Sequence, residues 1–220
     1  MASRLKADLH CRQREYRFHG KMTLRLSLGI CMAIFTLLLA SCGKVDTRAD
    51  LILLNGAEPE TLDPAIITGQ PEGRIVNALF EGLCAYNENG QPSPGVAESW
   101  EISPDGKTYI FHIRPNAKWS DGSPLTARDF VESWHHTLKP ETGSQYNYQL
   151  YPIKNAQAFA EGKLADFSQV GVHAVDDRTL RVDLENPTSY FLQLCAFSTL
   201  HPLPVELIKK VGDDWVKPRN

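Results

Sequence analysis

The 220-residue sequence lacks a disulfide framework, because only two of its five cysteines lie beyond residue 42. These two, Cys84 and Cys195, either pair in an oxidising compartment or remain buried thiols. The sequence also lacks an excess of basic residues, with a net charge of -3. It contains neither zinc-finger spacing nor a basic stripe after its N-terminal segment. This composition argues against a nucleic-acid partner.

Motifs of common catalytic sites are missing as well. The sequence has no Gly-x-Ser-x-Gly, His-Glu-x-x-His or Cys-x-x-Cys motif and no glycine-rich loop for phosphate. His135 and His136 are the best candidate metal ligands, but adjacent helical residues point about 100° apart and cannot easily chelate one ion. We therefore expect the histidines at solvated helix positions, and a protein that is not an enzyme and holds no cofactor.

An apolar run at residues 26–40 is shorter than the roughly 20 residues that a membrane-spanning helix needs. It fits the hydrophobic region of a secretory signal. The four residues that end it, LASC at 39–42, resemble a lipobox, the cleavage site before a lipidated cysteine. We expect a leader over residues 1–41, lipidation of Cys42 and a polar tether over residues 42–50. An ordinary secretory signal is the alternative.

The leader itself is long and basic at its beginning. Met22 would open a compact lipoprotein signal at residues 22–41, so we expect translation to begin there rather than at Met1. The alternative is an extended positively charged region over residues 1–21. Neither possibility assigns this segment a fold.

The remaining chain mixes helix and strand signals and predicts an α/β protein. Residues 107–114 alternate with Tyr109, Phe111 and Ile113 on one face, as in a strand with one buried side. Residues 172–184 predict a hairpin with a turn at 176–179, and residues 87–90 predict another turn.

Two amphipathic helices are predicted. Thr126 and Asp129 form a capping-box pattern before a helix over 127–138 that buries Phe130, Val131 and Trp134. The second helix spans residues 72–83 and directs Ile75, Leu79 and Leu83 towards a core. A further helix is expected over residues 190–197.

Two motifs give the sequence a family resemblance: QPSPGVAESW at residues 91–100 and NAKWSDGSPLT at 116–126. In order and spacing they resemble the oligopeptide-binding lipoproteins of peptide ABC transporters, solute-binding protein family 5, over residues 51–215. The resemblance implies a two-lobed, class II periplasmic-binding-protein-like α/β fold, present here only in part. Residues 51–80 and 205–220 would be an incomplete lobe I, and residues 81–204 an inserted β-rich subdomain.

The resemblance also implies the function and the partners. The protein would capture oligopeptides outside the cytoplasmic membrane and deliver them to the permease and ATPase subunits of an importer, without a cofactor. Relatives that bind dipeptides, murein peptides, nickel or haem are alternatives. Because family members continue well beyond the position of Asn220, the chain is either part of a longer protein or a truncated product. In the second case it would be a non-functional remnant or a surface interaction module.

The resemblance implies three ligand-binding residues. Leu62-Asp63-Pro64 matches a family motif, and the segment after it contributes backbone contacts to the peptide at Thr68 and Gln70. Family members commonly carry a glutamate where Thr68 stands, so that side-chain charge is missing. Tyr146 aligns with a tyrosine that contacts the ligand, or it is an exposed loop aromatic. The aspartate that binds the peptide's amino terminus would lie beyond Asn220.

Overall fold

The computed structural model describes residues 54–217. The apolar run LILL at residues 51–54 predicts a first, buried strand. Cys42 and residues 51–53 of this strand prediction lie outside the described part of the chain. Leu54, the last residue of that strand prediction, belongs to neither a helix nor a strand and is 91% exposed. Among the described residues, no helix has the length and apolar character required to cross a bilayer.

The described region contains both α-helices and antiparallel strands. The helices are α1 (Gln70–Leu79), α2 (Ala127–Leu138), α3 (Ala156–Ala160), α4 (Phe191–Leu194) and α5 (Val205–Val211). The strands are β1 (Cys84–Tyr86), β2 (Pro92–Pro94), β3 (Ala97–Ile102), β4 (Thr108–Ile113), β5 (Val172–Ala174) and β6 (Thr179–Asp183). Short 3-10 helices join them at Pro140–Thr142, Asn147–Leu150, Phe167–Gln169, Ser198–Leu200 and Gly212–Val216.

Strands β3 to β6 form a four-stranded antiparallel sheet in the order β3-β4-β6-β5, and β1 pairs with β2 in a separate hairpin. Strand β4 is central, and its residues Tyr109, Phe111 and Ile113 are buried while the intervening residues are partly exposed. The alternation predicted from the sequence is therefore confirmed. The predicted hairpin is also confirmed, because Val172 pairs with Val182 and Ala174 with Leu180.

Helix α2 packs against β5 and β6 and has the bounds predicted from the sequence. The capping box forms at its beginning, where the backbone N–H and hydroxyl of Thr126 both donate to Asp129 Oδ2, at 2.7 and 2.8 Å. Phe130 and Trp134 are fully buried. The indole N–H of Trp134 donates to the Leu200 carbonyl at 3.0 Å, so the helix is tied to the segment after α4.

The buried apolar residues form two clusters. The larger core contains residues between Leu83 and Leu200, including Phe111, Phe130 and Trp134. The smaller core consists of Ala65, Leu203, Val205 and Trp215, with partly buried residues such as Phe80 against it. It therefore joins the beginning of the described chain to its end.

Two helix predictions were wrong in their extent. Helix α1 ends at Leu79, which is 64% exposed, and Leu83 is buried but lies after the helix. The chain turns away because Gly82 packs against the backbone beyond α4. A Cβ atom at Gly82 would lie 2.4 Å from the Cys195 carbonyl oxygen. Helix α4 covers only Phe191–Leu194 of the expected 190–197.

Cys84 and Cys195 are both buried free thiols in the structure. Their backbones are neighbours, since the Cys84 N–H donates to the Cys195 carbonyl at 3.3 Å. Burial raises the pKa of the Cys195 thiol well above its ordinary value, with a further contribution from the neighbouring Cys84. A raised pKa keeps the thiol protonated and poorly reactive at neutral pH.

Candidate functional site

A cleft of about 380 Å³ brings together the three ligand-binding residues expected from the sequence, Thr68, Gln70 and Tyr146. One wall is the segment that leads into α1 together with that helix, and the other wall carries aromatic side chains. The lining residues are Ile67, Thr68, Gly69, Gln70, Gly73, Arg74, Asn77, Tyr86, Tyr146, Ala196, Phe197 and Ser198. The geometry thus unites residues that lie more than 70 positions apart in the sequence.

Asp63 stabilises the turn that precedes the cleft-lining segment. Its carbonyl accepts from the N–H groups of Ile66 and Ile67, both at 3.1 Å. Its carboxylate accepts from the Ala65 N–H at 2.8 Å and from the Trp215 indole at 3.2 Å. Burial raises the pKa of Asp63, although these hydrogen bonds act in the opposite direction. The family-like Leu-Asp-Pro motif therefore positions the cleft wall without lining the cleft.

The wall at Thr68 and Gly69 presents unpaired backbone groups, although the Gly69 carbonyl accepts from the Gly73 N–H at 3.1 Å. Neither the N–H nor the C=O of Thr68 makes a hydrogen bond with any other described residue. Gly69 has φ -92° and ψ 157°, an extended conformation, before α1 begins at Gln70. The side chains of Thr68 and Gln70 are exposed. This short extended edge has the groups needed to pair with the backbone of an added peptide strand.

Gly69 is required by the close approach of a buried carboxylate. A Cβ atom at this position would lie 2.1 Å from Glu72 Oε2. Glu72 is only 7% exposed, and its Oε1 accepts from the Glu60 N–H at 3.1 Å. A side chain at position 69 would therefore displace Glu72 and disturb the beginning of α1.

Helix α1 contributes a polar stripe to the same wall. Gln70, Gly73, Arg74 and Asn77 follow the spacing that places residues on one helical face, and all four line the cleft. The opposite face of the helix buries Val76 completely. Among the described residues that line the cleft, Arg74 is the one with a charged side chain.

The opposite wall is aromatic. Tyr146 meets Phe197 edge to face, with ring centroids 5.9 Å apart and an interplanar angle of 85°. Its ring also contacts Tyr148, with centroids 6.0 Å apart. Tyr86 is held by a hydrogen bond from its hydroxyl to the Gln193 carbonyl at 2.9 Å. This wall offers flat apolar surface to a ligand side chain.

His135 of α2 serves a packing role. The ring of His135 stacks on Phe167 with centroids 4.2 Å apart and contacts Phe159 edge to face. Burial lowers the pKa of His135 and of His136. Both are partly buried, so the expectation of fully solvated positions was wrong. In the part of the chain that the structure describes, no cluster of three acidic, histidine or cysteine side chains could hold a metal.

The sequence interpretation missed four notable cleft residues, Arg74, Asn77, Tyr86 and Phe197. A signal existed for the first two, because their spacing from Gln70 predicts a shared helical face. No local signal existed for Tyr86 and Phe197, which reach the cleft only through the packing of β1 against α4.

Comparisons with known proteins identify the family. Residues 91–219 match the family described as bacterial extracellular solute-binding proteins, family 5 Middle. This match covers more than half of the chain, and the chain belongs to that family of solute-binding proteins.

Individual relatives carry more specific names. The oligopeptide-binding protein OppA of Bacillus subtilis is 41% identical, over 89% of this chain and 39% of that protein. The probable deoxycholate-binding periplasmic protein YgiS of Escherichia coli is 46% identical, over 76% of this chain and 31% of that protein. The chain thus spans about two fifths or less of the length of these relatives.

A solved structure supports the fold. The crystal structure of Haemophilus influenzae OppA in complex with RPPGFSPFR matches with a TM-score of 0.72 and 43% identity. The match covers 76% of this chain and 33% of that chain. The predicted α/β, class II periplasmic-binding-protein-like fold is therefore confirmed, and the chain corresponds to part of it.

Proposed function

We propose that this protein is part of the substrate-binding component of an ABC transporter and captures oligopeptides outside the cytoplasmic membrane for import. The proposal rests on the cleft that is lined by Thr68, Gln70 and Tyr146. Its unpaired extended backbone can bind any peptide main chain, and its aromatic wall can accept varied side chains. A binding role of this kind needs neither a catalytic residue nor a cofactor.

The contacts divide into two kinds. Thr68 and Gln70 contribute backbone groups to the peptide, so their side-chain identities matter little. Tyr146 contributes aromatic surface, positioned by its edge-to-face contact with Phe197. Aromatic contacts of this type are worth about 0.5–1.5 kcal/mol. Loss of Tyr146 should therefore weaken binding without changing the register of the bound peptide.

Peptide binding is tested by thermal unfolding of the full chain with a short neutral peptide. A ligand at a hundredfold excess over its Kd stabilises the folded state by about 2.7 kcal/mol. For a chain of this size that corresponds to a Tm increase of roughly 5–10 °C. Deoxycholate, which has no peptide backbone, serves as the comparison ligand. A Tm that rises with deoxycholate and not with peptide would contradict the proposal.

The role of Tyr146 is tested in the same assay. Tyr146→Ala should weaken peptide binding by roughly two- to tenfold, in line with the value of an aromatic contact. Tyr190→Ala is the matched control, because Tyr190 is 55% exposed and does not line the cleft. Equal losses in both variants would show that Tyr146 is not a ligand contact.

We propose the expected domain organisation as well, with residues 81–204 as one β-rich unit and residues 51–80 and 205–220 as part of lobe I. The separation of the larger core from the smaller core supports this division. The hydrogen bond from Trp215 to Asp63 supports the association of the two flanking pieces. An isolated 81–204 polypeptide that fails to unfold cooperatively would disprove this boundary.

The membrane attachment and transport partners are also part of the proposal. The relative YgiS is described as a periplasmic protein, and the lipobox-like residues 39–42 support lipidation of Cys42 at the outer face of a membrane. The transporter partners would be permease and ATPase subunits. When the proteins are produced in the host, labelled palmitate should be incorporated into the native protein and into the Cys31→Ser control. It should not be incorporated into Cys42→Ser.

A further inference from the structure

We propose that Arg74 binds a carboxylate of the captured peptide and gives this cleft a preference for acidic ligands. The inference rests on the proposed function, because it adds a ligand class to the same cleft. The inference starts from a single guanidinium that lines the same cleft as the unpaired backbone of Thr68 and the N–H of Gly69.

The charge of the cleft favours a carboxylate ligand. Arg74 supplies the one formal charge among the described residues of the lining, and the rest of the lining is polar or apolar. Arg74 belongs to none of the ion pairs found among residues 54–217. The nearest acidic member of its own helix, Glu72, is 7% exposed and faces Gly69. The cleft therefore presents a net positive charge to a ligand.

The geometry of the Arg74 guanidinium also suits a carboxylate. Arg74 Nη1 donates to the Asn55 carbonyl at 3.3 Å, and the Asn55 side chain donates in turn to the Pro71 carbonyl at 3.2 Å. These contacts hold one corner of the guanidinium against the beginning of α1. A guanidinium carries five N–H donors, so most of them remain available to a ligand. Its planar fork suits bidentate binding of a carboxylate.

The position of Arg74 relative to the peptide-binding edge also favours this contact. It lies one helical turn after Gln70, on the same face, and Thr68 and Gly69 lie just before that turn. A peptide that pairs with the edge therefore has its own chain beside the guanidinium. The carboxylate can come from a Glu or Asp side chain or from the peptide's C-terminus, because both present the same group.

The test measures Kd for tripeptides of alanine in which one residue is Glu or Gln, each with a free or amidated C-terminus. At low ionic strength, we expect the carboxylate form of a matched pair to bind about two- to fivefold more tightly, the range of exposed ion pairs. The preference should shrink at high salt, because exposed charges are screened. The Glu/Gln pair reports a side-chain carboxylate, and the free/amidated pair reports the C-terminus.

Two variants make the test specific. Arg74→Gln should abolish the preference while neutral peptides still bind. Arg128→Gln is the matched control, since Arg128 is exposed on α2 and does not line the cleft, and it should keep the native preference. Arg74→Lys should retain part of the preference, because it keeps the charge and loses the fork.

The outcomes separate this inference from the proposed function. Binding of neutral and acidic peptides with equal Kd, or a preference that survives Arg74→Gln, would overturn the role of Arg74 and leave peptide capture intact. Failure of every peptide to bind the native chain would overturn the proposed function and this inference together.

Discussion

Replacing Trp134 with alanine is expected to lower the free energy of unfolding by about 3–5 kcal/mol, the usual cost of removing a large buried aromatic side chain. Trp134 is fully buried in the larger core, where it contacts Phe130 with ring centroids 6.3 Å apart. Its removal leaves a cavity in the larger core. It also leaves the Leu200 carbonyl without the indole donor that now lies 3.0 Å away.

Urea unfolding of the full chain measures this change, and Trp134→Phe separates its two parts. Phenylalanine retains most of the apolar packing and loses the hydrogen bond, so it should cost about 1–3 kcal/mol. If Trp134→Ala lowered the free energy of unfolding by less than 1 kcal/mol, the residue could not hold the central position that the structure gives it.

Acidification from pH 7 to pH 4 is expected to cost about 3 kcal/mol of stability through His201 alone. His201 is 4% exposed, and burial lowers its pKa to about 4. An unfolded histidine has a pKa of about 6.5. Between these two values the unfolded state binds more protons than the folded state. The contribution is therefore fully present above pH 6.5 and is lost as the pH falls towards 4.

The measurement is the pH dependence of unfolding free energy for the native protein and for His201→Gln. The difference between the two isolates His201 from other groups, including Asp63, whose pKa is raised by burial and whose effect has the opposite sign. His173→Gln is the control, because His173 is exposed on β5 and should keep the native pH profile. If the unfolding free energy of His201→Gln had the same pH dependence as that of the native protein, His201 could not be a buried neutral imidazole.

Local signals determined which elements could be predicted from the sequence. Helix α2 had the expected bounds, because its capping box and its buried Phe130 and Trp134 all lie within the helix itself. Strand β4 was predicted correctly for the same reason, since alternation along six residues needs no knowledge of the partner strand.

Predictions failed where long-range contacts override the local pattern. The apolar spacing of Ile75, Leu79 and Leu83 suggested one continuous helix. Gly82 instead packs tightly on the Cys195 carbonyl, more than 100 residues away in sequence, and the helix ends before it. The spacing could not reveal that contact.

The candidate site was predictable only in part. The family resemblance supplied Thr68, Gln70 and Tyr146, and the structure brings these three residues to one cleft. It could not supply Arg74, whose proposed role depends on the absence of other charged side chains from the described part of the lining. Asp63 was recognised as part of a motif, but its hydrogen bond to Trp215 depends on contact between the two ends of the described chain.

The proposed function requires the backbone of Thr68 and Gly69 to pair with a bound peptide. This pairing can be measured by amide hydrogen exchange of the full chain, with and without a saturating neutral peptide. We expect the free N–H groups at Thr68 to Gln70 to exchange rapidly without peptide and to become strongly protected with it. If the peptide binds while these amides remain as exposed as before, the peptide does not pair with this backbone.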